Sequence, residues 1–151
     1  MFFDEIGDMP QEVQASLLRV LQEKEIYRIG DTKTRKVNAR VIAATNKDLK
    51  TLVDDGRFRL DLFYRLKVIT IELPALRERI EDILDLAPYF LNKICKSAGR
   101  VTPDVSDAVY SRLLSYPWPG SIRELENCME SMIAMTDGTV LTEEDIPEEI
   151  R

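Results

Sequence analysis

The chain has 151 residues, 44% apolar and 32% charged, with a net charge of −6 and no histidine. That length supports one ordinary domain with a real core. The acidic balance argues against direct DNA binding by this chain, because phosphate neutralisation needs clustered Lys and Arg. Without histidine there can be no His-based acid–base catalysis, Ser-His-Asp triad or His metal site, so any chemistry must run on carboxylates, arginines and amides. No apolar run approaches a membrane span. No basic stretch followed by an apolar one succeeds Met1, so neither a signal peptide nor a membrane partner is expected. Cys95 and Cys128 are far apart and sit in helical patterns. They read as small buried hydrophobes in a reducing, cytoplasmic setting.

Taken in chain order, MFFD reads as a short buried strand ending in the adjacent acids Asp4 and Glu5. QEVQASLLRVLQEKE follows as a helix with Val13, Leu17, Val20 and Leu21 on one face. IYRIGDTKTRKVNAR reads as extended pieces turning at Gly30-Asp31, a hairpin whose basic cluster is Lys33, Arg35, Lys36 and Arg40. Val41 to Thr45 is almost wholly apolar and suits a strand covered on both faces. KDLKTLVDDG and RLDLFYRLK read as helices and VITIEL as a further strand. Strands separated by helices predict a parallel α/β arrangement.

After Leu73-Pro74 the texture changes. IEDILDLAPYFLNKI is helical, with Ile80, Ile83, Leu84, Ala87, Leu91 and Ile94 on one face and with Pro88 expected to kink or divide it. Thr102-Pro103 reads as an N-cap and first helical position, starting a helix with Val105, Val109 and Leu113 inward. PWPG breaks the chain, and Ser121 with Glu124 has capping-box spacing for a third helix. That helix turns Ile122, Leu125, Met129, Met132 and Ile133 inward and ends near Gly138; TEEDIP predicts a last capped turn. The expected organisation is α/β over residues 1–74 and all-α over 75–151.

Several stretches could carry chemistry. An acid beyond the carboxyl end of a parallel strand, as Asp4 would be, can hold Mg²⁺ through water, and its neighbour Glu5 can orient an attacking water; the plainer reading is a solvated acidic turn. Asn46 could orient a phosphate or that water, or Thr45 or Asn46 could simply cap the next helix. Arg57, Arg59 and Arg65 crowd one segment, and guanidinium suits transferred phosphate charge. The alternative pairs Arg65 with Asp61 four residues before it. Arg123 should lie in the first turn of its helix, where the dipole disfavours a cation unless Glu124, Glu126 or a bound phosphate is near.

FFDEIGDMP, QASLLRVLQEKEIYRIG, NARVIAATNKDL, GRFRLDLFYRL, ELPALRERIEDI and YPWPGSIRELEN occur in that order over essentially the whole chain. Together they resemble the central AAA+ domain of sigma-54-dependent transcriptional activators, also called bacterial enhancer-binding proteins. The resemblance implies a partial P-loop NTPase sheet, the C-terminal half of the ATPase core, over 1–74, and the AAA+ helical lid over 75–151. It makes FFDE a Walker B segment in which Asp4 holds Mg²⁺ and Glu5 activates water. Asn46 would be the sensor I residue, Arg59 and Arg65 arginine fingers reaching a neighbouring subunit's nucleotide, and Arg123 the sensor II contact. The hairpin from Gly30 to Arg40 would be the pre-sensor I insertion facing the ring's pore. The implied ligand is ATP with Mg²⁺. The implied assembly is a ring, usually a hexamer, that remodels sigma-54 RNA polymerase at the promoter.

None of the six glycines sits in a G-x-x-x-x-G-K-[ST] loop, and the family's GAFTGA loop is also absent. Gly30-Asp31 stands where the family has Gly-Gly. The chain is therefore expected to be a part of such an ATPase, beginning at the Walker B strand and inactive by itself. The alternative is a non-catalytic module that joins or inhibits rings of complete relatives. Another AAA+ branch, such as a clamp loader or protease ring, fits the paired GRFRLDLFYRL and YPWPGSIREL stretches less well.

Overall fold

Extended FF, amphipathic QEVQASLLRVLQE and the pieces after them become, in a computed structural model describing residues 1–27, 33–136 and 138–151, β1 (Phe2–Phe3), α1 (Gln11–Glu23), β2 (Glu25–Tyr27), β3 (Thr34–Lys36), β4 (Ile42–Ala43), α2 (Leu49–Asp54) and α3 (Leu60–Leu66). Then come α4 (Ile83–Ala98), β5 (Asp104–Val105), α5 (Asp107–Ser115), α6 (Ser121–Met135) and β6 (Val140–Leu141). The chain divides into two units, Met1–Ile71 and Glu72–Arg151.

In the first unit β1 and β4 run parallel in the register Phe2–Ile42 and Phe3–Ala43. Ile42 N–H donates to Met1 O (2.9 Å), Ala44 N–H to Phe3 O (2.8 Å) and Ile6 N–H to Ala44 O (2.9 Å). The helices cover one face of this pair, with Ile6, Leu17, Leu18, Leu52, Phe58 and Leu62 as the core. The other face is open: Phe2 is 61% exposed and Ile42 54%, so the strand at Val41–Thr45 is not covered on both faces as its composition predicted. In α1 the inward stripe is Gln14, Leu17 and Leu18, while Val13 is exposed. β2 and β3 pair antiparallel, Glu25 opposite Lys36 and Tyr27 opposite Thr34, with Arg35 and Lys36 exposed. The turn expected at Gly30-Asp31 lies outside the described residues.

VITIEL forms no strand. Val68, Ile69, Ile71 and Leu73 are 78–85% exposed in irregular chain. The reason is that a strand exists only where a neighbour takes its N–H and C=O groups, and no described strand lies beside it.

The second unit is helical around one core that includes Leu91, Val109, Leu113, Trp118, Leu125, Met129 and Met132. It is not all-helical. Residues 104–105, read from sequence as the start of a helix, pair in parallel with 140–141. The helix instead starts at Asp107 after Ser106, because Asp104 N–H and Ser106 N–H are drawn to Thr139 O and Leu141 O. Pro88 does not divide α4, which runs unbroken from Ile83 to Ala98. As the sixth residue of α4 it forgoes one ladder bond, to Leu84 O, and the helix continues past it. Leu84 faces solvent, and Phe90 and Cys95 take inward places instead. The last turn is capped as expected, Thr142 and Asp145 forming a reciprocal capping box.

Cys95 and Cys128 are both buried free thiols, and burial pushes the Cys128 thiol up to about 12, the charge of Glu124 adding to it. Neither is expected to react with an aromatic disulfide reagent at pH 8 in the native chain, and both should react in denaturant. Stoichiometric labelling of the folded chain would contradict this core.

Candidate functional site

Parallel pairing puts the C-terminal ends of β1 and β4 on the same edge, so Asp4 and Glu5 leave one strand where Thr45 and Asn46 leave the other. Two contacts lock the loops together. Lys47 Nζ donates to Asp8 Oδ1 in an ion pair, and Gly7 lies so close to Thr45 that a Cβ there would sit 2.8 Å from Thr45 Oγ1. Any larger residue there would push aside the Thr45 hydroxyl, which accepts the Lys47 N–H.

Glu5 adopts the left-handed conformation, φ 50 and ψ 45. For a residue with a Cβ this costs about 1–2 kcal/mol. The turn it makes carries the chain over so that Ile6 N–H can reach Ala44 O. Asp4 Oδ1 accepts the Glu5 N–H at 3.1 Å, its one hydrogen bond among the described residues. Both carboxylates are exposed.

The capping alternative for Asn46 does not hold. Asp48 caps α2, accepting Lys50 N–H at 2.9 Å and the Thr51 hydroxyl at 2.9 Å, and Thr45 Oγ1 accepts Lys47 N–H at 3.1 Å. Asn46 is left exposed at the strand edge, its amide relieved of a capping role.

Arg59 and Arg65 ride at the two ends of α3. Arg59 precedes its first turn and forms a two-pronged ion pair with Asp61, Nε to Oδ1 at 3.0 Å and Nη2 to Oδ2 at 2.7 Å. That partnership holds the Asp61 carboxyl below the usual range and raises Arg59. Asp61 is thus the partner of Arg59, not of Arg65 as the helical spacing offered. Arg65 Nη2 instead donates to Leu21 O (3.1 Å), near the end of α1. Neither arginine bonds to Asp4, Glu5 or Asn46 among the described residues. Arg57 lies apart from both, lining a cleft of about 250 Å³ with Gly7, Asp8, Met9, Pro10 and Gln11.

In the second unit Arg123 is exposed in the first turn of α6. Both carboxylates that could have paired with it are engaged elsewhere. Glu124 accepts Gly120 N–H (2.7 Å) and the Tyr116 hydroxyl (3.2 Å), and Glu126 pairs with Lys93 (2.7 Å). The helix entry is held by two left-handed residues, Trp118 (φ 48) and Ser121 (φ 54). The Ser121 hydroxyl accepts Leu76 N–H rather than capping α6.

A family model described as the sigma-54 interaction domain matches residues 1–72, and one described as the AAA+ ATPase lid domain matches 77–151. Residues 1–72 thus belong to the sigma-54 interaction domain family and residues 77–151 to the AAA+ lid domain family. The regulatory protein AtoC of Escherichia coli is 49% identical over all of this chain, which spans 33% of AtoC. A Nif-specific regulatory protein of Azotobacter vinelandii is 50% identical over 93% of the chain, and the chain spans 27% of it. Among solved structures, NtrX of Brucella abortus in complex with ADP superposes with a TM-score of 0.90 at 37% identity, over 99% of this chain and 35% of that one. NtrX in complex with ATP does so at 0.90 and 36% identity, again over 99% of this chain and 36% of that one. The fold is a partial AAA+ fold, a small parallel α/β part followed by a helical lid. No helix of the described residues is long and apolar enough to cross a membrane.

Sequence reasoning missed Gln14. It is fully buried, and its amide joins Met9, Arg57 and Arg59. The signal was available: a polar residue three and four positions before Leu17 and Leu18 interrupts the apolar stripe of an AAA+ core helix.

Two outcomes follow. Because the folded Asp61 pKa is depressed, the stability it lends is present above the ordinary value of about 3.9 and lost as pH falls through the folded one. A carbon-detected NMR titration should place the Asp61 midpoint below that value, and Arg59→Ala should move it back up. Second, Glu5→Gly should leave unfolding free energy unchanged or raise it by about 1 kcal/mol in urea titration, since glycine relieves the left-handed strain. A clear loss of stability would show that Glu5 has a structural role there.

Proposed function

We propose that this chain supplies the hydrolysis-side half of an ATPase module that drives promoter opening by sigma-54 RNA polymerase, acting within a ring of subunits, usually six, in the bacterial cytoplasm. The observation that carries it is the convergence of Asp4, strained Glu5 and uncapped Asn46 on one strand edge. In this reading Glu5 takes the proton of a water as its oxygen attacks the γ-phosphorus of ATP. The bond to the bridging oxygen breaks and its electron pair leaves with ADP. The Asn46 amide orients that water or the γ-phosphate.

The donor set at Asp4 fits Mg²⁺. It is an exposed hard carboxylate, the kind of oxygen donor that Mg²⁺ takes together with phosphates and water. When bound, the ion neutralises phosphate charge. Arg59 and Arg65 face a neighbour's nucleotide in this scheme, consistent with both being bonded away from their own Asp4 and Glu5. Arg59 can exchange its exposed Asp61 carboxylate for phosphate oxygens, which offer the same two-pronged geometry. Arg123 is the second unit's contribution, an exposed guanidinium whose nearby carboxylates are already committed. The 151 residues hold no phosphate-cradling glycine loop, so the nucleotide's phosphates must be cradled by other polypeptide.

Mixing tests this. The chain alone should show no ATP turnover. Added to an AtoC variant whose arginines aligned with Arg59 and Arg65 are alanine, it should restore hydrolysis. The doubly substituted chain (Arg59→Ala, Arg65→Ala) should restore at least about 100-fold less, given the 10³–10⁵ contributions of such arginines. No gain with the unsubstituted chain, at any ratio, would overturn the reading. If the chain instead depresses the rate of unaltered AtoC, the second reading, a non-catalytic module that joins or inhibits rings, takes its place. The lack of a phosphate-cradling glycine loop within the 151 residues is the observation that favours it.

A further inference from the structure

We infer that Gln14 is the positioning residue for Arg59. The inference rests on the reading of Arg59 as a finger for a neighbour's phosphate, but its geometric part stands without it. The segment Gly56–Arg59 between α2 and α3 has no regular structure of its own. Most of its backbone groups are nonetheless hydrogen-bonded. Arg57 and Phe58 N–H both donate to Leu52 O, at 2.8 and 2.9 Å, and the Phe58 side chain is buried in the core. Two further groups, Arg57 O and Arg59 N–H, are taken by one side chain. Gln14 Nε2 donates to Arg57 O at 3.0 Å, and Gln14 Oε1 accepts Arg59 N–H at 2.9 Å. Its second amide hydrogen goes to Met9 O at 2.7 Å.

The Gln14 side chain is fully buried, so its amide relies on these three partners, although the bonds are part-buried at the partners' end. Two carbonyls and one N–H admit only one orientation of the amide. That orientation fixes where the backbone of Arg59 stands before α3 begins, and hence where its guanidinium is launched. Met9 ends the loop that starts at Asp4 and Glu5, so the amide also ties the acid-bearing loop to the finger segment. An apolar side chain of the same length would fill the volume but leave these groups unpaired. That is the situation in which a buried hydrogen-bonding side chain is retained for geometry.

The test uses Gln14→Met, which keeps shape and removes all three bonds, and Gln14→Glu, which keeps only the acceptor for Arg59 N–H. Hydrogen exchange on the chain alone comes first. The Arg59 amide should exchange about 10- to 100-fold faster in Gln14→Met, while the amides of Leu62 and Phe63 in α3 stay protected. In the mixed ATPase assay Gln14→Met should lower kcat by about 10- to 100-fold with KM for ATP and assembly size unchanged. Gln14→Glu should recover part of the loss. The effect should shrink sharply in an Arg59→Ala background, where only Arg65 remains.

Unchanged Arg59 exchange would overturn the inference outright, as would a kcat loss of equal factor with and without Arg59. If the unsubstituted chain confers no hydrolysis in the mixture, the finger reading fails and the exchange result alone decides the positioning. If Gln14→Met does not fold, Gln14→Glu carries the same comparison, and protected Arg59 with unaltered kcat in a folded Gln14→Glu chain would refute a need for the Met9 and Arg57 bonds.

Discussion

Parallel pairing of β1 with β4, in the register Phe2–Ile42, is the constraint from which the first unit's chemistry is set out. Parallel strands end on the same side, so two loops far apart in sequence leave together. A slip of one residue would turn Phe3 and Ala43 away from the helices and carry Asp4 to the wrong face. The ladder is short, and its register is reinforced beyond its ends by Ile6 N–H on Ala44 O, by the Asp8–Lys47 pair and by the close approach of Gly7 to Thr45. The left-handed Glu5 follows from this arrangement. The chain must turn immediately after Asp4 for Ile6 to rejoin the edge and bury its side chain, and the residue asked to turn there is a glutamate rather than a glycine.

Electrostatics divide the arginines by availability. Arg59 and Asp61 are both exposed, so their pairing is screened and weak. It orients the guanidinium without committing it. Arg65 is docked on a carbonyl near the end of α1, where the helix dipole also favours a cation. Arg123 stands in a helix's first turn, where the dipole opposes it, and the neighbouring acids are spent on the Gly120 amide, Tyr116 and Lys93. A cation placed against the dipole, with its nearby acids committed, is an arrangement that binding an anion would relieve.

The exposed run Val68–Leu73 shows the other consequence of a two-strand sheet. Its composition is that of a buried parallel strand, yet it lies open because nothing described pairs with it. The same holds for the open face of Phe2 and Ile42. An open apolar strand edge of this kind invites pairing with another chain.

Residue type and order alone carried the main helices, the strands at Phe2–Phe3 and Ile42–Ala43, and the family resemblance. Apolar periodicity marked α1, α4 and α6, and six ordered stretches marked a sigma-54-interacting AAA+ segment. What local pattern could not decide was competition for partners. Thr102-Pro103 had the marks of a helix start, but Thr139 and Leu141 drew the following amides into a strand pair. Asn46 could have been a cap, but Asp48 was nearer the helix it serves. Asp61 had two candidate arginines, and α3 begins so that the one before it is in reach. Gln14 read as one polar residue among several, and only the fold brought Arg57 and Arg59, 43 and 45 residues away, against its amide. The Asp48 cap and the Arg59–Asp61 pair are choices among near neighbours, whereas the strand pair and the Gln14 bonds each depend on a long-range contact that satisfies a directional hydrogen bond. Spacing along the chain cannot express such a contact, which is why the tertiary structure had to decide it.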